Sequence, residues 1–280
     1  MCNTCGCNVT SGNRHLLFTS PPKKSITAVS VLSNLLKHND AQAELNRAQF
    51  DTNGVLAINL MSSPGSGKTA LLEATIRKLK EKIRIAVIEG DLETENDAER
   101  IRAQGVPAHQ ITTGTACHLD AHLIQNALDH LDLAKIDLLF IENVGNLVCP
   151  ASFDLGHHRN ITLLSVTEGD DKPAKYPVMF RAADLMLITK TDLLPFLDDF
   201  STEKAERCQR ELASRAPVLK LSSRSGAGLD EWLQWLEQEV SDHKARIQHQ
   251  QTLRPQIQPD GNNLHKQSPD VHFRPVKQLG

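Results

Sequence analysis

The segment Ser62-Ser63-Pro64-Gly65-Ser66-Gly67-Lys68-Thr69 constrains the fold of this chain more than any other part of it. It lies between an apolar run, VLAINLM from Val55, and a helical pattern, ALLEATIRKLK. That order of strand, loop and helix is the setting a phosphate-binding loop requires. Gly65 and Gly67 let the backbone close around an anion, and the amides at the helix N-terminus face it. Lys68 reaches the β and γ phosphates of a nucleotide, and Thr69 can hold Mg²⁺. Ser63, Pro64 and Ser66 complete the cradle, while Ser62 stands where the usual pattern has its first glycine.

Further short apolar runs begin at Ile83, Ile136, Ile161, Asp184 and Pro217, and they alternate with helical patterns. This rhythm predicts an α/β fold, a mostly parallel sheet with helices on both faces, of the P-loop NTPase type. The core must be aliphatic, because aromatic residues make up only 4% of the 280. Residues 30–240 read as this domain, with an amphipathic scaffold helix from about Ser30 to Gln49 ahead of the first strand. Residues 1–7 form a cysteine motif, 8–29 a flexible linker containing Pro21-Pro22, and 241–280 a disordered tail.

A net charge of -3 without a basic stripe gives nucleic acid no electrostatic footing. No apolar run reaches the roughly 18 residues of a membrane span, and no secretion signal opens the chain, so a cytoplasmic protein without membrane insertion is expected. A reducing compartment makes the six cysteines thiols or metal ligands rather than disulfides.

In an open α/β sheet, ligands gather beyond the carboxyl ends of the strands. Asp91 and Glu142 each stand at such an end, which makes them candidates, with Lys68 and Thr69, to hold Mg²⁺ and act in hydrolysis. Asp137 precedes its strand and belongs to the opposite edge. The turn Glu142-Asn143-Val144-Gly145 is similar to the GTPase turn whose glycine amide senses the γ phosphate, and Asn146 occupies a position where a water-orienting Gln is common. Slow intrinsic turnover follows. Thr189-Lys190-Thr191-Asp192 is similar to the Asn-Lys-x-Asp guanine motif, with Thr189 in place of Asn. Asp192 can accept from N1–H and the 2-amino group of guanine, donors that adenine lacks. Ser222 and Ser223 lie in a second base-contacting loop, so GTP is preferred over ATP.

Cys2, Cys5 and Cys7 bring three thiolates into one tight loop. With a nitrogen donor they suit tetrahedral Zn²⁺ or planar Ni²⁺, and the residues do not choose between them. A second group is Cys117-His118 with Cys149, and His122 lies one helical turn beyond His118. Cys208 reads as a core or interface residue, and His157, His158 and the histidines after residue 240 read as solvated.

Together, Cys2-x-x-Cys5-Gly-Cys7, SSPGSGKT, Glu89-Gly90-Asp91, Cys117-His118-Leu119-Asp120 and ENVGNLVCPASFDLG resemble the HypB family of hydrogenase maturation factors. The resemblance covers the N-terminus and nearly all of residues 50–240. It implies a GTPase of the metal-chaperone class with a tight nickel site at the N-terminal cysteines. A weaker nickel or zinc site would use Cys117, His118 and Cys149, with His122 as a further candidate. It also implies GTP- or metal-dependent dimerisation, a HypA-like nickel chaperone as partner and a nickel–iron hydrogenase large subunit as recipient. Rival readings are a urease-type nickel GTPase, a nickel or zinc buffer or sensor with little turnover, and a generic ATP-driven assembly protein.

Overall fold

Alternation of short apolar runs with helices leaves no room for hairpins, since each helix must carry the chain back to the start of the next strand. The computed structural model describes residues 28–91, 96–114, 117–212, 214 and 216–255, with side chains from Leu36 onward. Its seven strands are β1 (Leu56–Ser62), β2 (Ile85–Asp91), β3 (Ala108–Thr112), β4 (Leu138–Glu142), β5 (Arg159–Ser165), β6 (Leu185–Thr189) and β7 (Val218–Lys220). They form one parallel sheet in the order β3-β2-β4-β1-β5-β6-β7. The strand that feeds the phosphate loop is therefore central, flanked by β4 and β5.

The helices are α1 (Ala28–Asn53), α2 (Lys68–Leu79), α3 (Asn96–Arg102), α4 (Ala121–Leu128), α5 (Lys172–Lys175), α6 (Pro177–Ala182), α7 (Thr202–Glu211) and α8 (Leu229–Gln248). Period-two alternation sorts the buried strand residues between two layers. Leu56, Ile58 and Leu60 of β1, with Leu138 and Phe140 of β4, pack under α2 and α8 through Leu72, Ile76, Trp232 and Leu236. Their neighbours Ala57, Leu139 and Ile141 face the opposite layer, where Phe50 of α1 and Ile124 of α4 cover them. Met61, Leu164, Met186 and Ile188 continue that second layer under α6 and α7.

Three features depart from the sequence reading. Strand β3 was not expected: it is an edge strand whose residues are half-buried or exposed apart from Ile111, so it carries no apolar run. Helix α1 begins at Ala28 and ends at Asn53, beyond both expected limits. Helix α8 continues past residue 240 to Gln248, with Val240 and His243 buried and Leu253 packed on the core. The motif of Cys2, Cys5 and Cys7, the linker to residue 27 and the tail from residue 256 lie outside the described residues. No described helix is long and apolar enough to cross a membrane.

Candidate functional site

Only the glycines of the phosphate loop need the left-handed region, Gly65 at φ 75° and Gly67 at φ 95°, which explains why Ser62 is tolerated at its start. The Ser62 hydroxyl is useful there: it donates to the carbonyl of Ser63 at 2.7 Å and accepts from Lys68 Nζ at 3.1 Å. Gly67 caps α2, so Lys68 and Thr69 open the helix with their amides at its N-terminus. Below the loop, the Glu168 carboxylate accepts from the Ser66 hydroxyl at 2.6 Å, from the Ser63 hydroxyl, and from the Ser165 amide at 3.2 Å. Sequence reasoning missed this brace, because Glu168 is far from the motif in the chain.

A cleft of about 490 Å³ opens over the loop, lined by Pro64, Lys68, Thr69, Asp91, Glu142 and Gly145 among others. These expected residues come together from β1, β2 and β4. Thr69 Oγ1 donates to Glu142 Oε1 at 3.1 Å, and Lys68 Nζ stands 3.8 Å from the same oxygen. Gly145 is required by contact: a Cβ there would lie 2.9 Å from Pro64 Cα and N. Asp137, as expected, sits at the other end of β4, held by Arg84 and Lys244, with its carboxyl well below the usual carboxylate range.

Two acidic residues of this cleft, Glu89 and Asp97, had no assigned role. Glu89 pairs in register with Glu142 across β2 and β4, and both point to the α2 layer. Burial raises both carboxyls, and the neighbouring Glu142 charge adds to the rise at Glu89. Its place two residues before Asp91 on one strand was the available signal. Thr69, Asp91 and Glu142 offer the hard oxygen donors that Mg²⁺ takes, and Glu142 Oε2 is buried without a hydrogen-bond partner. The residues present fit that ion.

Beside the phosphate cleft lies a cavity of about 220 Å³ lined by Gly67, Lys190, Asp192, Ser222, Ser223 and Arg224, among others. Asp192 Oδ1 accepts from the Ser222 hydroxyl at 2.6 Å, which fixes the carboxylate's orientation. Thr189 Oγ1 donates to the Ser66 carbonyl at 2.7 Å and Lys190 Nζ to the Gly65 carbonyl at 2.6 Å. The threonine thus ties this segment to the phosphate loop.

On the other face of the same strand ends, Cys117, His118 and Cys149 converge, with donor atoms all within 4.8 Å of one another. The two Sγ atoms are 3.2 Å apart, and Cys117 Sγ is 3.8 Å from His118 Nδ1. Cys149 and His118 are buried, and the His118 ring stacks on Phe153 at 4.0 Å between centroids. Burial lowers the His118 pKa, which keeps the imidazole neutral and able to ligate. Two thiols and an imidazole are a donor set for Zn²⁺ or Ni²⁺. His122 is exposed on α4 and is not one of the converging donors.

Two asparagines join the sites. Asn143 Oδ1 accepts from the Leu119 and Val144 amides at 3.2 and 3.0 Å. The Asn146 side chain donates to the Cys117 carbonyl at 3.2 Å and accepts from the Val148 amide at 2.9 Å. The Asn146 side chain is therefore engaged with the thiol loop. Gly90 lets the two loops meet, since a Cβ there would lie 2.8 Å from Leu119.

Three of the histidines read as solvated are not, whereas His249 is exposed as expected and His265 and His272 lie outside the described residues. His157, His158 and His243 are 2%, 0% and 0% exposed, because α1 and the extended α8 cover them. Asp51, His158 and His243 bring three donors together, yet this group is explained as a structural clasp. His158 Nδ1 accepts from the Ala57 amide at 2.9 Å, so its proton resides on Nε2, 3.1 Å from Asp51 Oδ1. Neither nitrogen has a lone pair left for an ion. Cys208 on α7 is half-buried.

Residues 56–220 match the family model described as CobW/HypB/UreG, nucleotide-binding domain. The hydrogenase maturation factor HypB of Escherichia coli (strain K12) is 55% identical over 204 residues, 73% of this chain and 70% of that protein. The protein of the same name from Azotobacter vinelandii is 54% identical over 215 residues, 76% and 71% of the two chains. Among solved structures, the crystal structure of HypB from Helicobacter pylori in complex with nickel superimposes with a TM-score of 0.70 at 43% identity. It covers 74% of this chain and 97% of that one.

Proposed function

From its membership of the CobW/HypB/UreG nucleotide-binding family, in which the chain belongs with the HypB hydrogenase maturation factors, we propose that it is a GTP-hydrolysing nickel chaperone assisting nickel insertion into a nickel–iron hydrogenase. One observation carries the reading: residues 142–149 supply Glu142 and Gly145 to the phosphate cleft and Cys149 to the thiol site. A change at the γ phosphate therefore moves a segment that also holds a metal ligand.

In this reading, the backbone of Gly65 to Thr69 grips the phosphates and Lys68 moves from Ser62 to the β and γ oxygens, while Asp192, Ser222 and Ser223 select guanine. Mg²⁺, held by Thr69, Asp91 and Glu142, would supply charge neutralisation at the phosphates. Nickel is cargo, taken by Cys117, His118 and Cys149 and, with higher affinity, by Cys2, Cys5 and Cys7. A HypA-like chaperone, the hydrogenase large subunit and a second copy of the chain are its proposed partners, and the cytoplasm its proposed compartment. The urease-type alternative is not favoured, because relatives over most of the chain carry the hydrogenase name.

The test is nickel titration of protein lacking the thiols of Cys2, Cys5 and Cys7, in GDP and non-hydrolysable GTP-analogue states, with and without Cys149→Ala. Unequal affinities that become equal on Cys149→Ala are expected, and linkage requires nickel to shift the two nucleotide affinities by the same free energy. Equal affinities without that substitution reject the coupling. Nickel transfer to apo-hydrogenase that ignores GTP would leave the buffer as the better reading.

A further inference from the structure

Glu89 and Glu142 pose a charge problem that the phosphate loop does not solve. They are register partners on adjacent parallel strands, and each carboxylate is almost fully buried, at 1% and 5% exposure. Each also has one oxygen, Glu89 Oε1 and Glu142 Oε2, shut from solvent without a hydrogen-bond partner. Such an atom is destabilising unless something else satisfies it.

Lys68 is the cation beside the pair, and its Nζ is 3.8 Å from Glu142. When a nucleotide enters, that ammonium is drawn to the phosphates and the carboxyls lose it, just as further negative charge arrives. Arg100 also lines the cleft, but it is engaged by Glu73 and Asp97 through bonds of 2.8 to 3.0 Å. A hydrated divalent cation answers both needs: it brings positive charge, and its retained waters bring O–H donors to the two orphaned oxygens.

We propose that Glu89 is a further member of the magnesium site, a positioning residue that accepts a hydrogen bond from a metal-bound water on the β2 side of Glu142. The proposal rests on the reading of the cleft as a magnesium–nucleotide site. It adds to Thr69, Asp91 and Glu142 a group that acts through water rather than by direct ligation. A purely structural role predicts otherwise, since Glu89→Gln keeps the shape and the burial of the side chain.

The experiment measures affinity for fluorescent GDP and a fluorescent non-hydrolysable GTP analogue across Mg²⁺ concentrations, and in EDTA. It compares the full-length chain with Glu89→Gln and Glu89→Ala. The unsubstituted chain should gain affinity with Mg²⁺. In both variants the Mg²⁺ concentration at half effect should rise about 10- to 100-fold, the usual cost of losing an outer-shell partner. Affinity in EDTA should hold, because Glu89 is not one of the residues that grip the phosphates. A half-effect concentration within about twofold of the unsubstituted chain, in a variant that still binds in EDTA, overturns the proposal. Loss of binding in EDTA by both variants also overturns it and assigns Glu89 to the fold. If the unsubstituted chain itself shows no Mg²⁺ dependence, the magnesium–nucleotide reading fails first.

Discussion

Gly145→Ala adds one methyl group at the place where the β4 turn meets the phosphate loop. The new Cβ would lie 2.9 Å from both Pro64 Cα and Pro64 N, and 3.0 Å from Pro64 Cγ. Two of these atoms are backbone, so no side chain can swing aside and a loop must move. Gly145 is not among the positive-φ residues, so the substitution is free of backbone strain and tests contact alone. Overpacking of this kind costs about 1–3 kcal/mol, and a domain of this size loses roughly 2–4 °C of melting temperature for each kcal/mol. If the empty loop relaxes and the liganded loop cannot, the same energy appears as an affinity loss of about 5- to 150-fold. The assay pairs thermal melting with titration of fluorescent GDP and a non-hydrolysable GTP analogue. A steric effect on the loop weakens both nucleotides alike, whereas an additional role for the Gly145 amide at the γ phosphate makes the GTP analogue lose more. Affinities within about twofold for both nucleotides, with unchanged melting, would refute the reasoning.

Lys68→Ala should abolish most GTP hydrolysis while the melting temperature holds, since the side chain lies at the cleft; near-normal turnover would place the phosphates elsewhere. Asp192→Asn should weaken GTP selectively and improve xanthosine triphosphate, whose 2-oxo group needs a donor; competition binding with the two nucleotides reads this out. Burial depresses His157 to about 4 and His158 to about 3. Both stay neutral when folded and charge on unfolding below about pH 6.5, so stability present above that pH is lost as pH falls toward 4, at up to about 1.4 kcal/mol per pH unit for each. Melting from pH 7.5 to 5 should show the fall, and His157→Gln should flatten it.

What the sequence made legible follows from local chemistry. The apolar runs behind β1, β4, β5 and β6 are buried on both faces, so they announce themselves without help from the rest of the chain. Strand β3 does not, because an edge position asks less of AHQIT than a central one would. The phosphate loop was readable because its glycines, lysine and threonine stand within one short motif between a strand and a helix. Glu168, Asn143 and Thr189 act on residues 24 to 123 positions away, a relation that spacing cannot express. His158 and His243 were misread for a related reason: a histidine in a polar stretch looks solvated until α8 is known to run to Gln248 and bury it against α1.

The strand order also sets a timetable for the chain as it is made. Strand β1 is the earliest of the seven, yet its neighbours β4 and β5 begin only at Leu138 and Arg159. The phosphate loop is then pinned by Thr189 and Lys190, and Asp192 is oriented by Ser222. A ribosome must therefore release some 150 residues beyond the loop before the cavity beside it is complete, because the distance from Thr69 to Ser222 is that long. A nucleotide that needs both the loop and this cavity can therefore act only on chains made through their last strand.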